Sequence, residues 1–195
     1  MATASPSDPT AVAALVLELA GARPATLGAG RLVCVDGPAG SGKTTLTAAL
    51  AEATGAQVVH MDDLMAGWAG ATDTAAQLES VVSPLLAGRP GSYRHFDWEL
   101  DRFTATVAVP PAPWLLVEGV GSGSPVVTAG VTVLVWVEAD ADLRLARGMA
   151  RDGQAMAEHW RQFMLDETAV FDRDRTRERA DVLVDGTGTT PPVVR

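Results

Sequence analysis

The chain of 195 residues contains no asparagine and no isoleucine, only one cysteine and one tyrosine, and a single lysine, Lys43. Each absence excludes something. One cysteine, Cys34, rules out an internal disulfide and suits a reducing compartment, so a cytoplasmic location is expected. A chain without asparagine cannot carry the Asn-Lys-x-Asp element of guanine-specific GTPases, and the Leu-Ser-Gly-Gly-Gln signature of ABC proteins is missing too. Cations are scarce. Fifteen Lys and Arg stand against 24 Asp and Glu, a net charge of −9, which argues against nucleic acid as a partner because a phosphate backbone needs clustered cations. The one candidate apolar run near the start, 11–20, is interrupted by Glu18, so no signal peptide and no membrane span are expected.

The 47% hydrophobic fraction and this length suit one globular domain spanning 1–195. Residues 8–20 have helical spacing, with Val12, Leu15, Val16 and Leu19 on one side. Short apolar runs at 31–36, 57–61, 114–117, 131–137 and 181–184 read as buried strands. Helical patterns lie between them, at 43–53, 74–87 (with Pro84 as a candidate kink), 140–151 and 154–171. Residues 88–113 read as irregular, with an alternating stretch at 102–109. This alternation predicts an α/β fold of three αβα layers around a five-stranded parallel sheet, with ligands bound beyond the carboxyl ends of the strands.

The segment Gly37-Pro-Ala-Gly-Ser-Gly-Lys-Thr44 matches G-x-x-x-x-G-K-[ST] in full, after an apolar strand and before a helix. Glycines let backbone amides turn inward as a nest for the β- and γ-phosphates, and the helix start adds its positive dipole end. Lys43 then supplies a point charge to those phosphates, and the Thr44 hydroxyl a ligand for Mg2+. Gly37, Ala39, Gly40, Ser41, Gly42, Lys43, Thr44 and Thr45 are therefore the candidate ATP-binding residues.

Phosphoryl transfer also needs a carboxylate near the acceptor hydroxyl, a metal shell and cations over the moving group. Asp62 and Asp63 end the second strand, and either could be the base; Asp62 could also face the metal. Glu118 ends Leu115-Leu116-Val117 in the manner of a Walker B strand and would reach Mg2+ directly or through water. Arg144, Arg147 and Arg151 share one helix face and suit a short helical lid at about 147–160.

Together these segments resemble the uridine kinase-like family of P-loop nucleoside kinases. The resemblance is carried by 36–44, Asp62-Asp63, Phe96-Asp97-Trp98, Val117-Glu118-Gly119, 144–152 and 180–184. It implies an ATP- and Mg2+-dependent kinase acting on a small-molecule hydroxyl, most naturally that of a nucleoside. Asp62 would be the base, Asp62, Glu118 and Thr44 the metal neighbours, and Lys43, Arg147 and Arg151 the catalytic cations. Tyr93, Phe96, Asp97 and Trp98 would line the acceptor pocket, within an acceptor region at about 64–113. The segment after Arg151 lacks the further arginine-rich turn of uridine kinases, and Asp63-Leu64-Met65 replaces their aromatic continuation. Two other readings stand beside this one: a kinase for nucleoside monophosphates or other metabolites, with Arg89, Arg94 and Arg102 as phosphate partners, and a non-catalytic ATP-binding module. A homodimer is compatible with each.

Overall fold

The computed structural model describes residues 7–68, 70 and 74–195. Positions 69 and 71–73 of the expected acceptor region, and 1–6 of the expected domain, lie outside these. Eight strands and six α-helices follow along the described chain: α1 (Pro9–Ala22), β1 (Arg31–Asp36), α2 (Lys43–Thr54), β2 (Gln57–His60), α3 (Ala75–Leu86), β3 (Gly91–Asp97), β4 (Arg102–Val109), β5 (Trp114–Glu118), β6 (Val131–Glu138), α4 (Ala141–Asp152), α5 (Ala157–Asp174), α6 (Thr176–Arg179), β7 (Val182–Asp185) and β8 (Val193–Val194).

The main sheet has the order β2-β5-β1-β6-β7-β8. Its first five strands are mutually parallel, as the five apolar runs predict, and β8 adds a two-residue antiparallel edge to β7. Side chains alternate across the sheet with the period of two that a strand imposes. Leu32 and Cys34 of β1, with Leu134 and Trp136 of β6, join Leu78, Val81 and Phe163 on one side. Val33 and Val35, with Val133, Val135 and Val137, meet Val12, Val16, Leu46 and Leu50 of α1 and α2 on the other. Because both faces are buried, the strands read as continuous apolar runs. This is the three-layer αβα fold.

Residues 88–113 are not irregular. They form a hairpin in which β3 and β4 pair antiparallel, separate from the main sheet. Its turn is held by Asp97, whose Oδ1 accepts the Glu99 and Leu100 amides at 3.0 and 2.9 Å. A register shift between His95 and Phe96 breaks the strand period, which is why the first half carries no clean alternation in sequence. The hairpin packs on α3, with Tyr93, Phe96 and Val109 buried. The expected helix at 154–171 begins instead with a 3-10 turn at Gln154–Met156 and continues to Asp174.

Candidate functional site

The order of the sheet makes β1 central, so the chain leaves its carboxyl end at the switch point where α/β sheets bind ligands. Backbone geometry there is possible only for glycine at three positions. Gly37 has φ +135°, and a Cβ on it would collide with the Val137 carbonyl oxygen. Gly40 (φ +75°) would meet the Arg144 carbonyl at 2.7 Å, and Gly42 takes φ +108° as the residue before α2. The loop is thus pressed between β6, α4 and the turn after β7.

Three of its carbonyls are tied to cations. Lys43 Nζ donates to Pro38 O at 2.9 Å, Arg144 Nη1 to Ala39 O at 3.2 Å, and Arg147 Nη1 to Gly40 O at 3.0 Å. Among the described residues, the amides of Gly40, Gly42, Lys43 and Thr44 donate to no protein acceptor. Carbonyls tied to cations and amides left free make an anion nest at a helix N-terminus.

The loop opens on a cavity of about 850 Å3. At one end it is bounded by Gly42, Thr45, Val137, Val184 and the turn Gly186–Gly188, together with Pro9 and Val12 of α1. Asp185 shapes that turn by accepting bonds from the amides and hydroxyls of Thr187, Thr189 and Thr190. At the other end stand Asp62, Asp63, Met65, Trp68, Trp98, Arg151, Asp152, Trp160 and Phe163.

Glu118 lies between the two ends. It is buried; Oε2 is 3.4 Å from Thr44 Oγ1 and Oε1 is 3.0 Å from His60 Nδ1. The contact with Glu118 raises the His60 pKa above its ordinary value. Among the described residues no group of three or more His, Cys, Asp or Glu could hold a metal. A hydroxyl and nearby carboxylates nevertheless fit Mg2+, which keeps waters and takes phosphate oxygens.

The two aspartates after β2 part company. Asp63 turns to the hairpin, accepting from Tyr93 OH at 3.3 Å and lying 3.5 Å from His95 Nδ1. Asp62 is open to the cleft. Desolvation by the surrounding walls raises its pKa, Lys43 opposes that rise, and Glu118 adds to it. Its carbonyl accepts the Trp98 indole N–H at 3.1 Å, which fixes the aromatic wall relative to the carboxylate.

The predicted residues therefore divide. Gly40, Gly42, Lys43, Thr44, Thr45, Asp62, Glu118, Trp98, Arg147 and Arg151 line one cavity, with Ala39. Gly37 and Ser41 support the loop from beneath; the Ser41 hydroxyl is buried with no partner among the described residues. Tyr93, Phe96 and Asp97 do not line the cavity: the first two are buried in the hairpin's packing and the third holds its turn. The lid arginines also divide. Arg147 bridges Gly40 O and Gly186 O, whereas Arg151 is bound by Asp152, stacks over Trp160 and has a side chain 68% exposed. Arg89, Arg94 and Arg102 are absent from the lining; Arg94 lies over the Phe103 ring.

Three contributors belong to no motif, and a fourth, Asp36, opens the 36–44 segment with no role of its own read from the sequence. Trp68 sits among Trp98, His159, Trp160 and Phe163, with centroids 5.7–6.1 Å away. Asp36 is fully buried at the end of β1, where its carboxylate accepts the amides of Gly37, Gly121 and Gly123. The Gly186–Gly188 turn is another. The last, Glu167, leaves one trace in sequence: it occupies a core-spaced position of the stripe Trp160, Phe163, Glu167, Val170, Asp174.

No family model matches the sequence, and a search of curated proteins finds no match. Solved structures do match. A protein provisionally described as a fructose transport system kinase, from a Silicibacter species, superposes with a TM-score of 0.62 at 22% identity, covering 85% of this chain and 94% of its own. One provisionally described as a uridine kinase, from Bacillus stearothermophilus, gives 0.54 at 21% identity, covering 80% and 89%. The three-layer αβα fold is thus shared with these two structures, each described as a kinase.

Proposed function

We propose that the chain is a P-loop phosphotransferase that moves the γ-phosphate of ATP to a hydroxyl of a small, nucleoside-like molecule. The observation that carries this reading is the placement of Asp62. One free carboxylate faces the cleft between the nest of loop amides and an aromatic wall, while its neighbour Asp63 is engaged by the hairpin.

In this reading the triphosphate lies in the nest, with the Gly40, Gly42, Lys43 and Thr44 amides at its oxygens. Lys43 leaves the Pro38 carbonyl for the β- and γ-phosphates. Thr44, Glu118 and Asp62 would hold Mg2+, which when bound neutralises charge on the phosphates. Asp62 accepts the acceptor's proton as that oxygen attacks the γ-phosphate and ADP leaves. Trp68, Trp98 and Trp160, packed edge to face at 78° and 65°, give the acceptor apolar ring surfaces of the kind a nucleobase packs against. Arg151 can swing from exposed solvent over the transferring group. A monophosphate acceptor would need a dedicated cation pocket, and the three arginines that could supply it lie off the cavity. The fructose transport kinase description of one structural neighbour makes small sugars the next acceptors to try. The domain would act in the cytoplasm.

An ADP-release screen over nucleosides, monophosphates and small sugars, with Mg-ATP, tests the proposal. Stimulation by a neutral hydroxyl compound is expected. Asp62→Ala should then lower transfer by about 10²- to 10⁴-fold, while Mg-ATP still binds, more weakly for want of one Mg2+ neighbour. Normal turnover by that variant would remove Asp62 from the role.

A further inference from the structure

Glu167 lies in α5, more than a hundred residues beyond the phosphate loop, and belongs to no motif. Only 1% of its surface is exposed. Its Oε2 accepts the Ala39 amide at 2.7 Å and its Oε1 accepts Arg144 Nη1 at 2.7 Å. The same Arg144 nitrogen reaches Ala39 O at 3.2 Å, and Arg144 Nε reaches Ala139 O at 3.2 Å. Residue 39 is thus gripped at both its N–H and its C=O by one ion pair drawn from two helices.

A carboxylate is an unfavourable neighbour for a site that receives phosphates, since like charges repel. Its presence there needs a compensating gain. Charge-assisted bonds to an amide and to a guanidinium are shorter and stronger than neutral ones. Here they hold the Ala39 carbonyl and take its amide out of the nest. Among the described residues, the amides of Gly40, Gly42, Lys43 and Thr44 are then left without a protein acceptor. Arg144 balances the carboxylate's charge, so the loop gains rigidity without a bare anion beneath the phosphates.

We propose that Glu167 is a positioning residue for the phosphate-binding loop, acting with Arg144 to fix the Ala39 peptide. The proposal rests on the nucleotide reading above for its purpose, but its geometry can be tested separately. Hydrogen exchange of a peptide covering 37–44 and calorimetry with Mg-ATP would be measured on the full chain, on Glu167→Ala and on the near-isosteric Glu167→Gln.

Faster exchange of the loop is expected in both variants. Mg-ATP affinity should fall about tenfold in Glu167→Ala and about threefold in Glu167→Gln, which keeps one acceptor oxygen. If Glu167 acted only by charge, Glu167→Gln would bind Mg-ATP more tightly than the parent, and that result would overturn the proposal. So would a lower Tm with unchanged loop exchange and affinity within twofold, the signature of a purely structural acid. Should Glu167→Ala fail to fold, Glu167→Gln alone decides. A parent that takes up no Mg-ATP would sink the nucleotide reading, whereas the exchange comparison still judges whether Glu167 holds the loop.

Discussion

The two ends of the cleft are built in opposite ways. The end proposed for the nucleotide is mostly backbone: glycines at φ values other residues avoid, carbonyls tied to Lys43, Arg144 and Arg147, and amides left free. The end proposed for the acceptor is mostly side chains, brought from the segment after β2, the hairpin turn and α5 to meet around Trp68. A nest of peptide groups suits a ligand part that never varies, such as a triphosphate. An aromatic wall assembled from three elements can change its shape with a few substitutions, and so suits the part that differs between enzymes of one fold.

The largest effect should come from breaking the nucleotide end at its one lysine. Lys43→Ala is expected to cut transfer by about 10³-fold and to weaken Mg-ATP binding at least tenfold, since no second lysine exists to replace it. Parent-like calorimetry for this variant would remove the phosphate site altogether.

A smaller and more selective effect should follow at the acceptor end. Trp98 is 42% exposed, so Trp98→Ala costs little packing. It should raise the acceptor KM about threefold to tenfold while Mg-ATP affinity stays within twofold. Equal changes in both constants would mean that the two ends are not separable.

The smallest effect is a pH slope. Burial raises the Asp36 carboxyl to about 6, although the Gly123 and Gly37 amides oppose the rise, and burial also raises Glu167. A folded pKa above the unfolded one means that the folded state holds the proton more tightly. The associated stability is present at low pH and is lost as pH rises through the folded value. Thermal melts of the ligand-free chain should therefore show Tm falling by a few degrees from about pH 5 to about pH 7. Asp152 and Glu138, whose pKa values are lowered by Arg151 and Arg177, contribute stability that disappears only at more acidic pH. A Tm that climbs between pH 5 and 7 would contradict the burial assigned to Asp36 and Glu167.

Much of the nucleotide end could be read from the chain alone, because its chemistry is local. Gly37–Thr44 is a contiguous segment whose glycine spacing, preceding strand and following helix all lie within neighbouring residues, and the five parallel strands announce themselves as apolar runs buried on both faces. Side-chain partners across the fold could not be read. Nothing in the order of residues says that Arg144 and Arg147 grip loop carbonyls, that Asp63 turns to Tyr93 and His95 while Asp62 stays free, or that Tyr93, Phe96 and Asp97 serve the hairpin instead of the cleft. Those choices depend on which distant segments pack together, and packing is settled only when the whole core closes. Local spacing thus determined the loop and the sheet; the acceptor wall and the Glu167 grip were decided by tertiary contacts between residues with no fixed distance along the chain.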